Sequence, residues 1–268
     1  MLKSLGSIRS FKDNKMLNTR NNVLITGAGK RIGAALAKEM AAEGWNVCVH
    51  YNKSLTEAQK VVKDIISKGG QATPIHADLA DAKAPEKLIV RCQEAVGALN
   101  CLINNASIFE YDELDSINAG SIDLHHAINL RAPLLLSQAF SKKIPKKEKG
   151  NIINILDNKV MAPNPDYMSY TLSKVALKGA TEILAMAMAP RIRVNGIAPG
   201  ITLLSGKQSK SRFEKAHTTN PLKKGCTPGQ IAAALKLILD CPAMTGEVIV
   251  LDGGQKLQRL PRDIAFLT

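Results

Sequence analysis

No apolar run in the 268-residue chain reaches the length of about 18 residues that a membrane-spanning helix needs. A membrane-embedded protein is therefore not expected. The first twenty residues, MLKSLGSIRSFKDNKMLNTR, carry no apolar block of the kind that marks a secretory signal. They read as a flexible basic extension over 1–20 in front of one domain over 21–268, with a transit peptide as the competing reading. Cysteine is sparse. The five residues at 48, 92, 101, 226 and 241 show no metal-ligand spacing, and neither do the five histidines, so no metal centre is expected. Cys48 and Cys101 lie in apolar runs and read as small core residues of a reduced, cytoplasmic protein. Aromatic residues make up only 4% of the chain. The formal net charge is +13, gathered in the N-terminal extension and around 142–149 and 207–224. These basic runs lack the interleaved aromatics that would stack bases, so they read as solvated loops with no nucleic-acid partner. Repeats, linkers and low-complexity tracts are missing too.

What the chain does have is alternation. Apolar, strand-like runs at 21–27, 46–51, 72–78, 99–107, 151–156, 191–197 and 246–254 alternate with helical patterns at 31–44, 54–68, 84–96, 121–140, 167–188 and 228–240. Near-continuous apolar strands separated by helices predict a parallel sheet covered on both faces. The expected fold is α/β, a single Rossmann-like doubly wound domain with a seven-stranded parallel sheet. Ligands of such sheets bind beyond the carboxyl ends of the strands, which points to the loops after strands one, four, five and six.

The loop after strand one reads TGAGKRIG (26–33). Its glycines let backbone approach a pyrophosphate, and the helix that follows presents free N–H groups at its positive end. A dinucleotide is the ligand such a turn suits. An NAD site wants an acid at the end of strand two to hold the ribose 2′-hydroxyl, but this chain has HYNKS (50–54). Lys53 and Ser54 suit a 2′-phosphate instead, and Arg31 supplies charge-assisted hydrogen bonds to it. NADPH is therefore expected over NADH.

In YTLSK (170–174), Tyr170 and Lys174 stand four apart on one helical face. A phenol of ordinary pKa near 10 transfers protons poorly at neutral pH. An ammonium about 4 Å away would stabilise its anion by about 4 kcal/mol, or roughly three pKa units. Lys174 is thus expected to lower the pKa of Tyr170. Pro133 has no N–H, so it deprives the carbonyl of Asn129 of its helix partner. That carbonyl is expected to hold a water linking Lys174 to solvent.

Together, TGAGKRIG, NNAS (104–107), Asn129, YTLSK, RVNGIAPG (193–200) and TGEVIVLDGG (245–254) resemble the short-chain dehydrogenase/reductase family. The resemblance spans about 20–256, in order and at family spacing. It implies Tyr170 as general acid, and Lys174 as ligand of the nicotinamide ribose and tuner of Tyr170. The cofactor contacts it implies are Gly27, Lys30, Arg31 and Ile32 in the turn, then Tyr51, Asn52, Lys53 and Ser54. Further along come Asp78 and Leu79 near the adenine, Asn104, Ala106 and Ser107, and Pro199 and Gly200. It also implies a homotetramer built on the long helices at 121–140 and 167–188.

One position departs from the family. Thirteen residues before the tyrosine, where a serine is usual, stands Asp157. An ionised carboxylate would repel the alkoxide that forms when a ketone is reduced. It suits a substrate that presents N–H donors and gains a proton on nitrogen, as a pterin does. The chain is similar to the pterin-reductase branch in its arginine in the glycine turn, HY…S after strand two, NNAS followed by a phenylalanine, and aspartate for serine. That branch implies Phe109 stacking the pterin on the nicotinamide and Ser107 touching cofactor or pterin, beside Asp157 and Tyr170, with 201–221 as a substrate lid. The expected activity is NADPH-dependent reduction of a dihydropterin C=N bond. The alternatives are a carbonyl reductase, such as a 3-oxoacyl reductase, and a non-catalytic NADPH-binding sensor.

Overall fold

The computed structural model describes residues 21–204 and 209–267; the basic extension over 1–20 and part of the expected lid lie outside them. The strands are β1 (Asn22–Ile25), β2 (Asn46–Tyr51), β3 (Gln71–His76), β4 (Cys101–Asn104), β5 (Gly150–Ile155), β6 (Ile192–Pro199) and β7 (Val248–Leu251). They form one sheet in the order β3-β2-β1-β4-β5-β6-β7, with every neighbouring pair parallel. The expected seven-stranded parallel sheet is what the chain forms. Its order reverses between β1 and β4, and in sheets of this kind the ligand crevice lies there, at the carboxyl ends of the strands.

Alternate residues of each strand point to opposite faces. Val23, Ile25, Val47 and Val49 pack on one side with α1 (Arg31–Ala42), α2 (Leu55–Ser67) and α8 (Pro228–Asp240). Leu24, Cys48, Leu102 and Ile152 pack on the other with α3 (Ala84–Val96) and α5 (Ala132–Lys143). Each helix turns a 3.6-period apolar stripe to the sheet, for example Ala58, Val61, Val62 and Ile65 in α2. Burial on both faces is why the strands read as continuous apolar runs. No helix among the described residues is long and apolar enough to cross a membrane.

The expected single helix over 121–140 is instead two. α4 (Ala119–His126) runs into a π-helical turn, Ala127–Arg131, before α5 begins. Pro133 cannot donate to Asn129, and the chain widens by one residue at that point. The long α6 (Met168–Met188) forms as expected. A further helix, α7 (Lys210–Thr218), lies in the segment read as an irregular lid.

Candidate active site

Two loops meet at the switch point. The hydroxyl of Thr26, at the end of β1, accepts the N–H groups of Asn105 and Ala106 at 2.9 Å each. The amide of Asn105 returns hydrogen bonds to the carbonyls of Thr26 (2.8 Å) and Gly27 (3.3 Å). Gly27 has φ +63 and packs against Ala106, while a Cβ at Gly33 would stand 2.4 Å from the Gly27 carbonyl oxygen. Only glycine fits there. Lys30 caps α1 without a side-chain hydrogen bond, so the first N–H groups of the helix face the turn. A pyrophosphate fits this cradle.

His50, given no role by sequence, organises the turn. The Gly27 N–H donates to its Nδ1 at 2.9 Å, and its Nε2 lies 3.1 Å from the Ala77 carbonyl. Burial pushes its pKa down to about 4, so the ring is neutral, with Nε2 as the donor.

Arg31 takes the slot in which the family usually has glycine, and its φ of +53 shows why glycine is usual. A left-handed backbone costs a non-glycine residue about 1 kcal/mol. Its guanidinium donates to the carbonyls of Leu203 and Leu204. Ser54 does abut the turn, 3.0 Å from where a Gly29 Cβ would be. Lys30 pairs with Glu57 at 2.6 Å. Asn52 donates to Asp78 at 3.2 Å. Tyr51 is half-buried against His76, Ile32 packs on the core beside the turn, and Leu79 is buried. Pro199 closes β6, and Gly200 follows it against Asp252. Asn104 is turned to the buried Asn154 (2.8 Å) rather than to the crevice. Its neighbour Asn105, which sequence did not single out, makes the contacts to the turn.

Across the crevice stand the other predicted residues. Tyr170 Oη donates to Asp157 Oδ2 at 2.8 Å, and Asp157 Oδ1 accepts the Lys159 N–H at 2.9 Å. Lys174 Nζ donates to the Ile155 carbonyl at 2.8 Å and lies 5.8 Å from the Tyr170 ring centre. Burial, then the Asp157 charge, holds the phenol well above its ordinary value. The expected lowering of Tyr170 by Lys174 is therefore overturned: removal from water and the facing carboxylate outweigh the ammonium. Burial raises Asp157 too, and it pushes Lys174 down to about 8.

Asn129 is fully buried. Its Oδ1 accepts from the Ile108 N–H (3.0 Å) and the Ser107 hydroxyl (3.1 Å), and its Nδ2 donates to the Ser173 hydroxyl (3.0 Å). It thus ties the loop after β4 to α6, a role its side chain plays beside the main-chain role expected of it. Phe109 stacks on Tyr167 at 4.0 Å and meets Tyr170 edge-on at 4.7 Å. Tyr167, another residue missed by sequence, starts α6 from a left-handed conformation, φ +56.

The family described as short chain dehydrogenase matches residues 21–215. The chain belongs to that family. Solved structures similar to it include the crystal structure of FolM alternative dihydrofolate reductase 1 from Brucella canis complexed with NADP. That structure is 37% identical, has a TM-score of 0.86, and the match covers 89% of this chain and 95% of that one. Pteridine reductase 1 of Leishmania tarentolae is 29% identical over 279 residues, covering 88% and 96% of the two chains. A 3-oxoacyl-[acyl-carrier-protein] reductase of Synechocystis sp. is 31% identical over 240 residues, covering 88% and 97%. As a short-chain dehydrogenase the chain is an oxidoreductase, and the crevice between β1 and β4 is where such chemistry fits.

Proposed function

We propose that the chain is an NADPH-dependent dihydropterin reductase, comprising one reductase domain over 21–268. The observation that carries this reading is the buried pair Asp157–Tyr170, in which a carboxylate stands where a ketone reductase would place a hydroxyl. The similar FolM and pteridine reductase chains support it. The glycine turn, the uncapped start of α1 and Arg31, Lys53 and Ser54 would hold NADPH. When bound, that cofactor supplies the hydride.

The residues of the chain supply the proton. The raised pKa of Tyr170 keeps the phenol protonated at neutral pH, so it is a donor throughout the working range. When it gives its proton to the ring nitrogen, the phenolate left behind faces Asp157, and Lys174 lies within 6 Å of the ring. A proton taken up by Asp157, whose pKa burial raises, can pass over the 2.8 Å hydrogen bond and restore the phenol. In its ionised state the same carboxylate accepts N–H bonds from the 2-amino edge of a pterin, which orients the flat ring. Phe109, half-exposed beside Tyr170, is the stacking face. Steady-state kinetics on dihydrofolate, dihydrobiopterin and dihydromonapterin with NADPH and NADH test the reading. Turnover of none of them above the level of Tyr170→Phe would reject it.

A second reading, carbonyl reduction, draws on the Synechocystis relative. A protonated Asp157 could donate to a carbonyl oxygen as serine does, so ketones belong in the same assay.

The oligomer is proposed to be a homotetramer. Leu172, Val175, Ile183 and Met186 form an exposed apolar stripe along α6, and Gly179 between them leaves open space for close helix approach. Sedimentation of the full chain checks this. A reduced cytoplasmic setting fits the five free cysteines.

A further inference from the structure

A second lysine stands behind the reacting pair. Lys159 follows Asp157 by two residues and is only 6% exposed. Its Nζ lies 2.8 Å from Asp263 Oδ2 and donates to Asn164 Oδ1 (2.7 Å) and the Asp166 carbonyl (3.3 Å). It also sits 5.5 Å from the centre of the Tyr167 ring. Its seat is built by the C-terminal strap. The Asp263 N–H donates to Asp166 Oδ2 at 2.6 Å, and Arg262 Nε bonds both oxygens of the buried Asp166. Ile264 is buried beneath the strap.

A buried ion pair is weak evidence for stability, because apolar residues of similar volume often replace one without loss. This pair lies where its charges matter for another reason. The backbone N–H of Lys159 holds Asp157 Oδ1, and its ammonium lowers the proton affinity of Asp157 against the larger effect of burial. The charge of Asp263 acts on Tyr170 in the opposite sense, raising it. Tyr170 and Lys174 from α6 and Lys159 from its own turn thus act on Asp157, while Asp263 from the strap acts on Tyr170 and pairs with Lys159.

We propose that Lys159, seated by Asp263, is a positioning residue that sets the charge balance of the Asp157–Tyr170 pair, which makes the C-terminal strap part of the active site. No motif quoted for the family assigns this lysine or the strap. The proposal rests on the assignment of Asp157 and Tyr170 to the reaction, but its test does not depend on the substrate.

The full-length protein, labelled with 13C-carboxyl aspartate, is titrated by NMR, with Asp157→Asn identifying the Asp157 signal. Lys159→Met should move the Asp157 midpoint to higher pH, and Lys159→Arg should restore it. Asp263→Asn should move it to lower pH, since the ammonium is then no longer offset. Opposite shifts are the signature of charge, which loss of structure alone does not produce. The acid limb of kcat/KM, measured on whichever dihydropterin or ketone the wild type reduces, should follow the same directions, with NADPH affinity changed less than twofold. Should Lys159→Met fail to fold, Lys159→Gln, whose uncharged amide can still bond Asn164 and the Asp166 carbonyl, takes its place. An unchanged midpoint in a folded Lys159→Met or Lys159→Gln protein, or shifts of the same sign in Lys159→Met and Asp263→Asn, overturns the proposal. Failure to turn over any dihydropterin would reject the pterin reading and leave the titration standing.

Discussion

The phenol of Tyr170, itself only 6% exposed, and the carboxylate of Asp157 share one hydrogen bond of 2.8 Å. Neither group can be altered without changing the proton held by the other. Tyr170→Phe should lower kcat by about 10²–10⁴-fold, the usual contribution of a positioned proton donor, while NADPH binding followed by fluorescence stays within twofold. Asp157→Ser should cut dihydropterin turnover at least tenfold and raise ketone reduction. An unchanged ratio of the two activities would refute the role given to the carboxylate.

Arg31 provides a separate test of cofactor choice. Its left-handed backbone, φ +53, is one that glycine adopts without strain. Arg31→Gly should therefore leave Tm unchanged or raise it by up to about 3 °C. The NADPH/NADH preference should fall by roughly tenfold or more, as expected for loss of a charge-assisted hydrogen bond. A variant that keeps its preference would remove Arg31 from the phosphate site.

Lys174 is cationic only below about pH 8 in the free enzyme. Its contribution to the forming phenolate is lost as pH rises through that value, so kcat/KM should show an alkaline limb near pH 8. Stability moves the other way. Between about pH 8 and the ordinary lysine value of 10.5, the unfolded chain binds the additional proton, so Lys174 makes the fold more stable with rising pH. Paired pH–rate and pH–Tm profiles separate the two effects, and Lys174→Met should flatten that segment of the Tm curve.

His50 makes the opposite end of the pH range informative. Its pKa is about 4 when folded, against 6.5 for the free group. Unfolded chain therefore takes up the proton first as pH falls, and about 3 kcal/mol of stability disappears between pH 6.5 and 4. Chemical denaturation at pH 7 and pH 4.5 should show the loss, and His50→Gln should be less stable at pH 7 but less sensitive to acid.

Much of the architecture was legible because its signals are local or periodic. Strand runs such as Val23–Ile25 are apolar throughout since both faces of the sheet are covered, and Tyr170 and Lys174 share a face by helical spacing alone. What stayed hidden depends on contacts between distant parts of the chain. The spacing of Tyr170 and Lys174 predicts a lowered phenol pKa, but it contains no term for burial or for a carboxylate thirteen residues upstream. Asn105 looks interchangeable with Asn104 until the pleat sends one into the crevice wall and the other toward Asn154. His50 carries no spacing signal because its partners, Gly27 and Ala77, lie on other loops. Pro133 announced an interruption near Asn129, but the π-helical turn that resolves it appears only in three dimensions. Tyr167 and Asp263 gave no signal at all, since one matters through backbone conformation and the other through a lysine more than a hundred residues away.

Thr26 bears on how the crevice can change shape. One hydroxyl fastens the glycine turn to the strand-four loop by two amide hydrogen bonds, and it lies within reach of the Ile103 carbonyl at 3.3 Å. Those two walls are consequently a single rigid frame. Widening of the crevice is therefore left to its opposite wall, and exchanging this hydroxyl for the methyl of valine would split the frame without altering its volume.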